Sequence, residues 1–316
     1  MDQRTKVSCL VVGDIFIDIN MKVDSLLIAL GGITQCSQLK YAFGGSGNVS
    51  SALSLLAIDN CFMGKAGKDA LGEQYRVDLE KCGTKTNILV DSESPTGILV
   101  STIDNSAERS FLISRGANDG LTPEEIENAL STVDYDVLYI TGYSLVNSPQ
   151  RDAVLYVANH AHRIGAKIFF DPGAYNTIKD SQKYFTDVLK LSAIVSTNEK
   201  EAMALTQLPD RDKALRKLSD LAPIIVMRLG MEGCVISAHG QEIRVPAPTI
   251  AALDTTGAGD AFNAAFIYGM LSNWSYEHIG LFANWFASKK IEQLGARSFP
   301  LKSEIHATVS RLRQDN

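Results

Sequence analysis

The chain has 316 residues, 45% of them hydrophobic, enough for one large domain or two ordinary ones with a sizeable core. A net charge of −6 without a dense basic cluster argues against nucleic acid as a partner. Five scattered cysteines (Cys9, Cys36, Cys61, Cys82, Cys234) lack metal-type spacing and read as reduced thiols, there is no signal peptide, and no apolar run nears the roughly 20 residues of a membrane span, so a cytoplasmic protein without a membrane partner is expected.

Residues 7–17 read as one buried strand, punctuated by Asp14 and followed by Asp18. Residues 19–23 and 38–43 have alternating character and suggest a small β element outside the main core. Gly44-Gly45-Ser46-Gly47-Asn48-Val49-Ser50 then leads into a helix over 49–57. The run falls short of a dinucleotide fingerprint, because its third glycine is missing and no acidic residue closes a βαβ unit. It reads instead as close backbone approach to a polar ligand, with Asn48 as donor and acceptor; plain helix packing is the alternative. A helix over 69–82 ends at Gly83, and strands over 97–103 and 109–114 flank a polar turn at 104–108.

From residue 120 the pattern becomes regular. Thr122-Pro123-Glu124-Glu125 is a capping box with proline at the first helical position. Strands are expected over 137–140, 167–170, 193–196 and 224–227, with helices over 149–164, to about 205 and over 213–221. A hairpin over 234–238 and 242–245, helices over 261–271 and 280–294, and a solvated tail over 311–316 complete the chain. Such alternation means a mostly parallel sheet with helices on both faces and ligands at the carboxyl ends of its strands. Asp18, Asp171, Asn198 and Arg228 all fall at or just beyond such ends.

Residues 254–266, Asp-Thr-Thr-Gly-Ala-Gly-Asp-Ala-Phe-Asn-Ala-Ala-Phe, carry the strongest chemical signal. Gly257, Ala258 and Gly259 leave backbone N–H groups open at a helix start, which suits a phosphate. Asp260 beside an anion hole needs a purpose, and taking a proton from an attacking hydroxyl is one. The rest of a phosphoryl-transfer site is available. Asn198 and Glu201, on one face of a helix start, suit Mg²⁺ held through water, while Asp14, Asp18, Gly44, Gly45 and Asn48 suit a polyol.

The 254–266 stretch, Gly13 with Asp18 and Gly44-Gly45-x-x-Asn48, Asn198-x-x-Glu201, Arg228-Leu229-Gly230 with Gly233, and Ala283-Asn284 with Gly295-Ala296 together resemble the ribokinase, or PfkB, family of carbohydrate and nucleoside kinases over nearly the whole chain. The resemblance implies an α/β fold: a ribokinase-like three-layer α/β/α core in a single kinase domain, with lid segments at about 19–43 and 97–115. It implies ATP, with Arg228, Gly230, Gly233, Thr256 and Asn284 on the nucleotide side, Asn198 and Glu201 at the metal, and Asp260 as base. It further suggests a monovalent cation such as K⁺ at Asp254, Gly295 and Ser298, and a homodimer through the lid. Arg115 in Arg115-Gly116-Ala117-Asn118 is a candidate for a substrate carboxylate or hydroxyl. The expected acceptor is a sugar or sugar acid. A nucleoside, with Phe16, Phe43 and Phe111 about its base, is the alternative; a phosphosugar comes third, as no Lys or Arg cluster near Asn48 marks it, and a catalytically silent sugar-binding or regulatory protein is the reading from a different class.

Overall fold

Gly13 and Asp14 end the first strand and send the chain into a second sheet. In this computed structural model, which describes residues 5–26, 31–104, 109–173 and 175–314, β1 (Thr5–Val12) and β2 (Ile15–Val23) are separate strands. The single strand expected over 7–17 is thus corrected. Its two apolar runs are both buried, so hydropathy alone did not mark the break. β3 (Cys36–Gly45), α1 (Gly47–Leu55), β4 (Asn60–Gly67), α2 (Ala70–Lys81) and β5 (Lys85–Asp91) follow, then β6 (Ile98–Ile103) and β7 (Arg109–Ser114). The second half runs α3 (Pro123–Leu130), β8 (Val133–Thr141), α4 (Gln150–Ile164), β9 (Lys167–Asp171), α5 (Tyr175–Leu191), β10 (Ile194–Asn198), α6 (Glu199–Thr206), α7 (Arg211–Ser219) and β11 (Ile224–Arg228). It closes with β12 (Cys234–Ala238), β13 (Gln241–Val245), α8 (Ala258–Leu271), α9 (Tyr276–Ile291) and α10 (Lys302–Gln314).

The large sheet has nine strands in the order β13-β12-β11-β10-β9-β8-β1-β4-β5, parallel except for the antiparallel β12 and β13. Alternate residues of β1 feed two cores. Leu10 and Val12 pack with α3 to α7 on one face, and Cys9 and Val11 pack with α1, α2, α8, α9 and α10 on the other. That is the expected three-layer arrangement, with burial on both faces of a parallel sheet. The chain builds outward from β1 in one direction through β4 and β5, and in the other from β8 onward. This places a crevice at the carboxyl ends of β1 and β8.

The smaller sheet is β3-β2-β6-β7 and gathers the two expected lid segments. The turn at 105–108 lies outside the described residues. β4, β5 and α5 had no counterpart in the sequence reading. Eight consecutive buried residues in β4, ending Gly64-Lys65-Ala66-Gly67, offer no alternation to read. The expected solvated tail is also corrected: its first four residues belong to α10, and Leu312 is buried against the α8 and α9 side of the sheet.

Candidate active site

The first turn of α8 differs from most other helix starts in the chain. Asp69, Thr122, Asn198, Asp210 and Ser275 cap α2, α3, α6, α7 and α9 through their side chains, whereas α8 begins at Gly257 with no side-chain cap. Within this turn the Ala258 N–H donates to the Thr255 carbonyl at 3.1 Å and the Ala261 N–H to the Gly257 carbonyl at 3.0 Å, while the N–H groups of Gly259 and Asp260 receive no side-chain cap and could bind an anion. Gly257 is needed for the turn itself. Its φ is +76°, and a Cβ there would lie 2.6 Å from the Ala296 carbonyl oxygen. Gly259 serves a different purpose: a Cβ there would meet only the Arg228 guanidinium, at 3.5 Å.

Asp260 stands in the same turn, and the Asn48 amide Nδ2 donates to its Oδ2 at 3.0 Å. Desolvation lifts the Asp260 carboxyl to about 6; the Asn48 hydrogen bond, Arg228 and Arg297 oppose the rise, and Asp171 adds to it. Asp18, on β2, is pushed up to about 7 by burial, against the pull of Arg297 and with a further push from Asp260. Two desolvated carboxylates near enough to raise one another's charge cost, with an amide oriented on one of them, are a donor and acceptor set that suits a ligand with several hydroxyl groups.

The glycines at the end of β3 and the start of α1 make room for protein groups. A Cβ at Gly44 would lie 2.3 Å from Asp18 Oδ1, one at Gly45 would lie 2.2 Å from the Asp14 carbonyl, and one at Gly47 would meet Tyr75 Oη at 2.2 Å. Asp14 is 2% exposed and accepts from Arg115 Nη2 at 3.0 Å, Ser144 Oγ at 3.1 Å and Gln150 Nε2 at 2.5 Å. Arg115 also holds Asp119 and Gln150. The pair braces the pocket wall, with its charges directed at each other.

On the other side of α8, a cleft of about 420 Å³ is lined by Arg228, Gly230, Gly233, Ala258, Gly259 and Asn284 with the apolar Ala247, Pro248, Ile250 and Ile291. It gathers most of the residues expected on the nucleotide side. Thr256 is instead exposed outside this lining, and its N–H bonds Asp254. Asn284 donates to the Val245 and Pro246 carbonyls, at 3.0 and 3.2 Å, and so fixes one wall. Gly233 has φ +95° and packs tightly under Val245.

Arg228 links cleft and pocket. Its Nη1 reaches Asp171 at 3.2 Å, Ser196 at 3.1 Å and Asn263 at 3.0 Å, and its Nη2 reaches Glu201 at 3.3 Å. Asn198 and Glu201 form a reciprocal capping box, so their expected proximity also has a structural purpose. Burial pushes the Glu201 carboxyl up, and Arg228 partly offsets this. Among the described residues no cluster of three or more metal-type side chains occurs. Glu201 is 6% exposed and its oxygens already accept from Asn198 and Arg228, so Asn198 and Glu201 would hold a Mg²⁺ through intervening water rather than directly, as a hydrated Mg²⁺ allows.

At the position expected to hold a monovalent cation, Asp254 accepts N–H bonds from Thr256 and Gly295, and Ser298 Oγ donates to the Leu294 carbonyl. The fully buried Lys290 donates its ammonium to the Asp254 carbonyl at 2.8 Å.

Four polar residues absent from the expected set belong to this neighbourhood: Ser144, Gln150, Asn263 and Arg297. Asn263 lies inside the 254–266 stretch and Arg297 directly after Gly295-Ala296, so their positions were marked. Ser144 and Gln150 had no local signal.

Fold and cleft together define a ribokinase-like α/β enzyme with a lid sheet. The chain belongs to the pfkB family of carbohydrate kinases, whose family model matches residues 6–303. It is 33% identical over 251 residues to an uncharacterized sugar kinase of Archaeoglobus fulgidus, covering 78% of this chain and 96% of that one. It is 28% identical to the ATP-dependent ribose-1-phosphate kinase of Halopiger xanaduensis, covering 96% of this chain and 98% of that one. The adenosine kinase structure from Sinorhizobium meliloti superposes with a TM-score of 0.84 at 26% identity, covering 98% of this chain and 99% of that one.

Proposed function

We propose that the protein transfers the terminal phosphoryl group of ATP to a hydroxyl of a small sugar or sugar acid. The single observation that carries this reading is the α8 N-terminus without a side-chain cap, with Asp260 in its first turn, beside an apolar cleft and the desolvated carboxyl of Asp18. ATP would lie in the cleft with its phosphates toward Gly257, Ala258 and Gly259. Asp18, Asn48 and the backbone at Gly44 and Gly45 would hold the acceptor, and Asp14 with Arg115 would brace it. Asp260 would take the hydroxyl proton as the oxygen attacks the terminal phosphorus, the bond from that phosphorus to its bridging oxygen breaks with ADP as the leaving group, and the proton stays on the carboxyl until product leaves. Asn198 and Glu201 would hold Mg²⁺ through water, which when bound neutralises phosphate charge. Arg228, aimed past Gly259, adds fixed positive charge beside the same phosphates. The smaller sheet would close over the pocket to keep water out, and its outer strands offer a surface for a homodimer.

No described helix is long and apolar enough to cross a membrane, and ATP use fits a cytoplasmic location. A nucleoside acceptor is the second reading, supported by the likeness to an adenosine kinase structure. Two of the three aromatics expected around a base are engaged elsewhere: Phe16 lies under Arg115, and Phe43 packs edge-on against Tyr75. A screen of ATP consumption across sugars, sugar acids, phosphosugars and nucleosides tests both. Turnover confined to nucleosides overturns the first reading. A sugar that binds without turnover restores the silent binder.

A further inference from the structure

Arg297 reaches from the turn after α9 into a seat built by three other elements, α1, α2 and β3. Its Nε donates to Asn48 Oδ1 at 2.9 Å, and its Nη1 holds Asp78 on α2. Its guanidinium carbon lies 5.4 Å from the Tyr75 ring centre and 5.8 Å from that of Phe43, within cation–π range. Tyr75 is itself pinned, donating to the Gly44 carbonyl at 2.8 Å. A Cβ at Gly47 would lie 2.8 Å from Arg297 Nη2, so Gly47 keeps this seat open.

A guanidinium only donates, so the group it meets on Asn48 must be the amide oxygen. That settles which way the amide faces: Nδ2 turns to Asp260 and donates to Oδ2. Asp78, Arg297, Asn48 and Asp260 thus form one chain of bonds across three helices and a turn, ending at the carboxylate in the first turn of α8.

We propose that Arg297 is a positioning residue for phosphoryl transfer: it locks the Asn48 amide so that an N–H always faces Asp260 and keeps that carboxylate ionised. This rests on the reading of Asp260 as the base. Without Arg297 the amide can turn its oxygen to Asp260, which removes a hydrogen bond from the charged form and adds lone-pair repulsion. Loss of the guanidinium charge, which also draws the Asp260 carboxyl down, acts in the same direction.

The test is the pH profile of kcat for the wild type, Arg297→Gln and Arg297→Lys, with the acceptor found by the screen. Arg297→Gln is expected to move the acid limb upward by about one pH unit, giving a roughly ten-fold loss of kcat on that limb and recovery at higher pH. Arg297→Lys keeps a charged donor and should lie between. If Arg297→Gln does not fold, Asp78→Asn, which loosens the same guanidinium, should shift the limb in the same direction by less. A fall in kcat that is equal at every pH, or no fall, overturns the positioning role while leaving the kinase reading intact. Absence of any ATP-dependent phosphorylation by the wild type sinks the kinase reading instead.

Discussion

Asn48 Nδ2 and Asp260 Oδ2 lie 3.0 Å apart and tie the first turn of α1 to the first turn of α8. Its Asp260 end lies in the first turn of α8, where the phosphates are proposed to sit. Asn48→Ala should therefore raise the pKa of Asp260 and lower kcat by about 10- to 100-fold near neutral pH, with part of the loss recovered in alkali. A pH–rate profile checks this. An unshifted acid limb would mean that Asn48 serves only the acceptor.

The two glycines at the start of α8, where the phosphates are proposed to sit, should separate in their effects. Gly257→Ala forces a non-glycine residue to φ +76° and onto the Ala296 carbonyl, and should cost about 1–3 kcal/mol in thermal unfolding. Gly259→Ala meets only Arg228 at 3.5 Å and lies within a helix, so Tm should hold or rise slightly. Its turnover should nevertheless fall about ten-fold or more, because a methyl would stand between the helix N-terminus and the guanidinium, where phosphate is proposed to sit. Wild-type turnover in Gly259→Ala would move the phosphates elsewhere.

Asp18 gives a stability prediction with a defined sign. Its folded pKa, about 7, lies above its ordinary value of 3.8, so between those values the folded chain binds more protons than the unfolded chain. Stability from this group is full at low pH and falls as pH rises toward 7. Asp18→Asn should therefore raise Tm at pH 8, by about 2–4 °C, and the gain should vanish near pH 4. The same variant should bind the acceptor poorly. A Tm difference that stays constant with pH would show that desolvation of Asp18 is not what strains the pocket.

Lys290 already delivers a positive charge to the Asp254 carbonyl, beside the turn where an exchangeable cation was expected. Exchange of Na⁺ for K⁺ should then change wild-type turnover by less than about two-fold, whereas Lys290→Met should lose activity that K⁺ partly restores. Strong K⁺ activation of the wild type would favour an ion held by Asp254, Gly295 and Ser298.

The α/β layering was legible because strand and helix signals alternate after residue 120, and the glycine-rich start of α8 with Asp260 because glycine, glycine and aspartate sit together in sequence. What was not legible depends on distance along the chain. Arg297 meets Asn48 only because α9 delivers the turn after it to α1, and Gln150 meets Asp14 across β1 and α4. The glycines at 44, 45 and 47 were read as backbone opened to a ligand. A Cβ at these positions would also meet Asp18, Asp14, Tyr75 and Arg297, and the last two come from distant parts of the chain that local sequence does not reveal. The break at Gly13 was hidden because burial continues across it from one sheet to the next.

The most direct measurement of the account is the steady-state rate of ATP-dependent phosphorylation by Asp260→Asn, beside its ATP affinity by calorimetry. Asp260→Asn should fold, bind ATP about as tightly as the wild type, and lose at least about 100-fold in kcat. Turnover at the wild-type rate would remove Asp260 as the base and with it the proposed organisation of the site.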